Sequence, residues 1–350
     1  RVVNEIIYMR LKRRCKYSDF AVLYRGNYQA KLVEIKLQSQ NIPYEMTGGQ
    51  SFYAKTEIKD VMAYLRLIIN ASDDNALLRI INTPRRQIGP TTLEKLGEYA
   101  NQRQLSLYNA IDEAGLNATM PANNLERLKR FKHWIQSINR NVYNGSPMAA
   151  INEMLDDAGY QGWLQQNASN DHVAQKRWEN VQFLLSQLAQ VIKRDEEENE
   201  IENGDSRIEN AIAKLTLRDL LDREQEESAG DKVQLMTLHA AKGLEFLHVF
   251  MIGMEEDILP HKNSIEGGQI EEERRLAYVG ITRAQQTLTM TSAQQRTQFG
   301  ETSTTTPSRF VDELPDGDLV RIGGQHGQIS TEENQLKGEE SLAALKELFK

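Results

Sequence analysis

Three short stretches concentrate side chains that could handle a phosphate group. LYRGN, residues 23–27, ends an apolar run with the ring of Tyr24 and the guanidinium of Arg25. TLHAAKGLEF, residues 237–246, sets the Thr237 hydroxyl, the His239 imidazole, the Lys242 amine and the Glu245 carboxylate around Gly243. EEERRLAYVGITRA, residues 271–284, opens with acids suited to a helix N-terminus and closes on Arg283. A planar guanidinium can reach two phosphate oxygens at once. A loop dense in polar groups after a strand has the texture of a ligand loop at the carboxyl end of an α/β sheet. Each residue also has a structural reading: Tyr24 as a core ring with a wet hydroxyl, Arg25 and Arg283 as surface ion-pair partners, His239 as a satisfied structural histidine.

Other chemistries find less support. GxxxxGK[ST], the phosphate-cradling loop, does not occur, since Gly243 follows Lys242 instead of preceding it. Six scattered histidines and one cysteine give no familiar zinc spacing, so no metal site is expected from them. VFMIGMEED, residues 249–257, resembles an apolar strand ending in Mg2+-binding carboxylates, but such carboxylates need a phosphate-binding loop beside them.

The elements that must position these groups come in two textures. FAVLY (20–24) reads as a buried strand, and Glu57 to Asn70 places Ile58, Val61, Met62, Leu65 and Ile69 on one helical face. From about 105 to 230 the pattern is helical, with stripes at Leu125, Leu128, Phe131, Ile135, Ile138 and at Val181, Leu184, Leu185, Leu188, Ile192. The acidic run 195–210 reads as a solvated loop. Strands return at VQLMTLH (233–239), HVFMIG (248–253) and TLTMT (287–291). The fold class expected is α/β, a parallel-sheet domain interrupted by a largely α-helical inserted domain.

Composition agrees. The 350 residues, 39% hydrophobic and 26% charged, suffice for two domains. A net charge of −8 argues against a globally basic nucleic-acid binder and leaves room for local basic patches. One cysteine, no apolar run near the roughly 18 residues of a membrane span and no signal peptide lead to an expected cytoplasmic location. Beyond Pro315 the chain is Gly-rich and polar up to the amphipathic SLAALKELF, and a flexible tail is expected there.

In this order, LYRGNYQ, TLHAAKGLEF and EEERRLAYVGITRAQ resemble motifs IV, V and VI of the superfamily 1 DNA helicases of the Rep, UvrD and PcrA type. IPYEMTGGQSFYAKTEIKDVMAYLR, LLRIINTPRRQIGPTTLEKLG and IGMEEDILPH extend the resemblance from about Phe20 to Pro315. It implies a RecA-like domain 2A over 1–105 and 232–315, a helical domain 2B over 106–231 and a tail over 316–350. It also implies the C-terminal half of an ATP-dependent 3′–5′ helicase, whose first RecA-like domain carries the phosphate loop and most contacts to ATP and Mg2+. By resemblance Tyr24 lies near the adenine, Arg25 and Arg283 reach the γ-phosphate, and Glu245 lies near the ribose. The resemblance also implies that Thr237 and His239 face the DNA strand or couple it to the nucleotide, and that Asn82, Arg85 and Arg86 belong to a DNA-facing loop. The partners implied are single-stranded DNA, duplex junctions, the N-terminal RecA-like domain and, through the tail, the replicative helicase; no membrane is implied. The alternative is a stand-alone DNA- or partner-binding module without ATPase activity.

Overall fold

FAVLY forms the central strand of a parallel sheet because every one of its five residues is buried, which a polar-alternating strand could not tolerate. The computed structural model of the chain describes residues 1–198, 208–217, 230–298 and 301–322. Among these, five strands, β1 (Phe20–Tyr24), β2 (Tyr44–Thr47), β3 (Val233–Thr237), β4 (Phe246–Ile252) and β5 (Ala284–Thr291), pair in the order β2-β3-β1-β4-β5. All four pairings are parallel.

Each sheet face carries its own helices. Val3, Ile6 and Met9 of the Val2–Arg13 helix and Leu37 of the Ala30–Ser39 helix pack with Phe20, Val22, Leu235 and Phe250. On the other face Leu276 and Ala277 of the Ile270–Ile281 helix pack with Ala21, Leu23, Met236, Val249 and Met251. Gly280 lets this last helix come close. A Cβ there would stand 2.5 Å from Leu238 Cδ2 and 2.8 Å from Met251 Cε.

The chain divides into two units, Arg1–Ser51 with Asp222–Lys350, and Phe52–Leu221. The second is built from helices, among them Thr56–Ile69, Pro90–Arg103, Ala122–Asn144 and Asp171–Glu198. Both stripes read from the sequence, Leu125 to Ile138 and Val181 to Ile192, are buried in it.

The first division differs from the boundary expected at 105/106. Thr56–Ile69 reads as a helix beside a sheet, yet Ile58, Val61, Met62, Leu65, Leu67 and Ile68 are buried around most of its circumference. It therefore needs helical neighbours on several sides. Tyr64 meets Trp134 edge-on at 6.0 Å, Tyr160 Oη donates to Asp60 at 2.9 Å, and Asn180 Nδ2 donates to Glu57 at 2.8 Å. The second division, most of the acidic run and the tail with SLAALKELF lie outside the described residues. None of the described helices is long and apolar enough to cross a membrane.

Candidate functional site

A parallel sheet has two different rims, and the registers fix which residue stands on which. Tyr24 is level with Thr237, and Leu23 with Met251, so the strand ends before Arg25 and Leu238 form the C-terminal rim. Phe20 is level with His248, and Phe246 with Ala284, so Glu245 and Arg283 stand on the N-terminal rim. Residues 238–245 cross from one rim to the other, and the Ile270–Ile281 helix does the same. TLHAAKGLEF is therefore a crossover with a different chemistry at each end.

On the C-terminal rim Arg25 is clamped. Its Nε donates to Glu273 Oε2 at 3.0 Å and its Nη2 to Oε1 at 2.8 Å, while Ser264 Oγ and the His261 N–H donate to the same carboxylate at 2.8 and 3.2 Å. Glu273 is only 3% exposed. Burial pushes its carboxyl up, but the hydrogen bonds from Arg25 and Ser264 and the Arg25 charge outweigh it and hold the group below its ordinary 4.5. A group depressed in the fold adds stability above its ordinary value and loses it as pH falls through the folded value. We expect urea stability to drop below about pH 4.5, with that part of the pH dependence missing in Glu273→Gln; equal acid slopes for both proteins would contradict it.

The same rim carries Thr237, whose Oγ1 accepts from the Ala240 N–H at 3.2 Å, and His239, which is exposed. Gln29 pins the loop after β1, accepting from the Gly26 N–H at 2.9 Å and donating to the Ile252 carbonyl at 3.2 Å. Tyr24 corrects an expectation. Its ring is fully buried in the core, its hydroxyl has no hydrogen-bond partner among the described residues, and burial and Glu34 push its pKa up. No ring face is left for an adenine, so the structural reading of Tyr24 as a core ring stands, without the wet hydroxyl.

Arg283 on the N-terminal rim is held differently. Its Nε donates to the Val279 carbonyl at 2.9 Å, Nη1 to the Leu244 carbonyl at 2.7 Å and Nη2 to Thr282 Oγ1 at 3.0 Å. Among the described residues it has no carboxylate partner, so the ion-pair reading does not hold. The guanidinium caps the Val279 carbonyl near the end of its helix and meets only neutral acceptors. Glu245 is exposed beside it and accepts from Gln285 Nε2 at 3.0 Å. Arg25 is paired with Glu273 near the start of the Ile270–Ile281 helix, and the Arg283 guanidinium reaches the Val279 carbonyl six residues further on, roughly 9 Å along the helix axis. The two guanidiniums are thus held by different partners, Arg25 by a carboxylate and Arg283 by neutral oxygens.

The carboxylates after β4 are already engaged. Glu255 is fully buried and takes the Arg296 guanidinium and the Ala293 N–H, and Glu256 takes Arg309 at 2.6 Å. In the helical unit, Asn82 Oδ1 accepts from the Arg86 N–H at 2.7 Å and shapes its turn. Arg86 points inward, donating to the Ile80 carbonyl at 2.9 Å and Tyr64 Oη at 2.7 Å, with its guanidinium 4.9 Å from the Trp134 ring centre. Of Asn82, Arg85 and Arg86, Arg85 is the exposed one. Asn82 and Arg86 serve the turn itself because aromatic rings from distant helices form a cation–π box for Arg86.

Residues 1–295 match the UvrD-like helicase C-terminal domain. The chain belongs to that family. The ATP-dependent DNA helicase Rep of Escherichia coli (strain K12) is 43% identical over 349 residues, covering 100% of this chain and 51% of the relative. The helicase Rep of Buchnera aphidicola subsp. Acyrthosiphon pisum is 41% identical over 91% of the chain and 48% of its own length. The helicase PcrA of Bacillus subtilis is 41% identical over 88% and 41%. The chain spans about half the length of the curated relatives it matches. In this UvrD-like chain the sequence reading missed Glu273, because its signal as a third helix-N-terminal acid hides its partner 248 residues away. Gln29 was missed for the same reason: its partner Ile252 lies across the sheet.

Proposed function

We propose that the chain is the C-terminal half of an ATP-dependent 3′–5′ DNA helicase, with the sheet unit as its domain 2A and the helical unit as 2B. The N-terminal rim faces ATP held by another RecA-like domain, and the C-terminal rim faces single-stranded DNA. The observation that carries this reading is Arg283, a guanidinium fixed by three neutral oxygens with its charge uncompensated. Hydrolysis of ATP develops negative charge on the γ-phosphoryl oxygens, and a rigid cation supplied across a cleft stabilises it. Glu245, exposed on the same rim, is placed to accept a hydrogen bond from the ribose.

Thr237 and His239 stand on the opposite rim, so DNA contact and phosphate contact use the two ends of one crossover. Movement of the β3-to-β4 connection would couple them. The Mg2+ that accompanies ATP finds no open carboxylate pair after β4, since Glu255 and Glu256 already hold Arg296 and Arg309; we place the metal on the phosphate-loop domain. A stand-alone binding module, the competing reading, gives an uncompensated arginine no task.

Without a phosphate-cradling loop in its 350 residues, the chain by itself should hydrolyse no ATP, with or without single-stranded DNA. Steady-state phosphate release checks this. A DNA-stimulated, Mg2+-dependent turnover that disappears in Arg283→Ala would overturn the proposed division of labour.

A further inference from the structure

The loop after β1 carries an aromatic ring that neither the core nor the proposed nucleotide side uses. Tyr28, in the short 3-10 turn Asn27–Gln29, is 54% exposed although β1 just before it is buried throughout. Its place is built rather than accidental. A Cβ on Gly26 would lie 2.7 Å from Tyr28 Cε1 and 3.0 Å from Cδ1, so the ring rests where only a glycine backbone leaves room. Gln29 pins the next residue to the Gly26 N–H and the Ile252 carbonyl, and Asn27 Nδ2 donates to the Gly48 carbonyl at 3.0 Å.

Burial pushes the Tyr28 hydroxyl's pKa up, and nearby charges modulate it. The charges of Arg25 and Arg296 both act on the Tyr28 hydroxyl, as does the carboxylate of Glu255. Each arginine is spoken for, Arg25 by Glu273 and Arg296 by Glu255, so their net pull on a phosphate is small. A partly exposed ring on a rigid loop, beside charges that are largely neutralised, suits a flat π-system better than an anion.

We propose that Tyr28 is a stacking platform for a base of single-stranded DNA on the C-terminal rim. This rests on the reading that the C-terminal rim faces DNA. Stacking is tolerant of base identity because every base has a π-face, and its loss weakens binding several-fold per base. It also leaves the number of phosphate contacts untouched, so affinity falls while the salt dependence of binding keeps its slope.

The test uses the full 350-residue chain and a fluorescein-labelled oligo-dT strand, titrated by anisotropy at several salt concentrations. Tyr28→Ala should weaken binding roughly five- to a hundred-fold with an unchanged salt slope, and Tyr28→Phe should stay near wild type. Gly26→Ala, which displaces the ring without removing it, should fall between them. A strand carrying 2-aminopurine should show quenching by wild type and Tyr28→Phe and lose it with Tyr28→Ala, while thermal melts of all four proteins coincide. Wild-type binding that Tyr28→Ala leaves unchanged would overturn the stacking role alone, and a shallower salt slope would replace it with an electrostatic one. Absence of any binding by the wild-type chain would overturn the stacking role together with the DNA-facing rim.

Discussion

Arg283→Ala, in a polypeptide that joins this chain to its phosphate-loop domain, is expected to lower kcat for ATP hydrolysis by about 10³ to 10⁵. The size follows from where the residue stands. A guanidinium aimed across a cleft acts on charge that grows only in the transition state, and it acts in a site from which water is largely excluded. Arg283→Lys should lose most of the same factor, since a lysine keeps the charge but cannot hold the Val279 and Leu244 carbonyls and the Thr282 hydroxyl in one planar fork. One of those hydrogen bonds caps a helix carbonyl and another ties the helix end to the crossover before β4, so both variants should lose some stability, about 1 kcal/mol per bond. The two effects separate cleanly. A thermal melt reports the capping loss, and kcat measured well below the melting transition reports the chemistry; hydrolysis within a few-fold of wild type would make Arg283 a helix cap and nothing more.

Glu273→Ala should cost the fold about 3 to 5 kcal/mol, the usual penalty for breaking a buried ion pair on one side. The carboxylate is 4% exposed and its partner Arg25 25%, so the stranded guanidinium can turn only partly into water. Ser264 Oγ and the His261 N–H lose their acceptor as well. Removing both charges should cost less than removing one: Arg25→Met in the Glu273→Ala background should recover part of the loss, because no unpaired charge then remains. Urea unfolding of the three variants measures this through the midpoint at unchanged slope. A Glu273→Ala midpoint within about 0.5 kcal/mol of wild type would show that the pair is solvated in solution and does not anchor the rim.

Much of this fold was legible because burial leaves a direct trace in the sequence. FAVLY is apolar at consecutive positions because both of its faces are covered, and the stripes from Leu125 and Val181 repeat because each helix buries one side. The motifs led to the right family for a similar reason, since LYRGN, TLHAAKGLEF and GITRA lie at strand ends where ligand-facing residues gather. Which strand end they occupy was not legible. Tyr24 and Arg25 follow β1, whereas Arg283 precedes β5, and only the registers reveal that these are opposite rims of the sheet. A chain read along its length treats 237–246 as one loop; the sheet makes it a bridge from Thr237 on one side to Glu245 on the other. Arg86 was misread on a different ground. Its neighbours in NTPRRQIG are polar and turn-like, while the partners that draw it inward, Tyr64 and Trp134, come from helices 22 residues before it and 48 residues after it.

On the proposed reading Arg283 reaches the transferred phosphate while Arg25 stays paired with Glu273. The most direct test compares kcat for ATP hydrolysis in Arg283→Lys and Arg25→Lys within the joined polypeptide. Both variants keep the charge, and Arg25→Lys can still pair with Glu273. Arg283→Lys should fall by orders of magnitude while Arg25→Lys stays within a few-fold of wild type. Equal, large losses in both, with both proteins still folded at the assay temperature, would contradict the separation of the two rims.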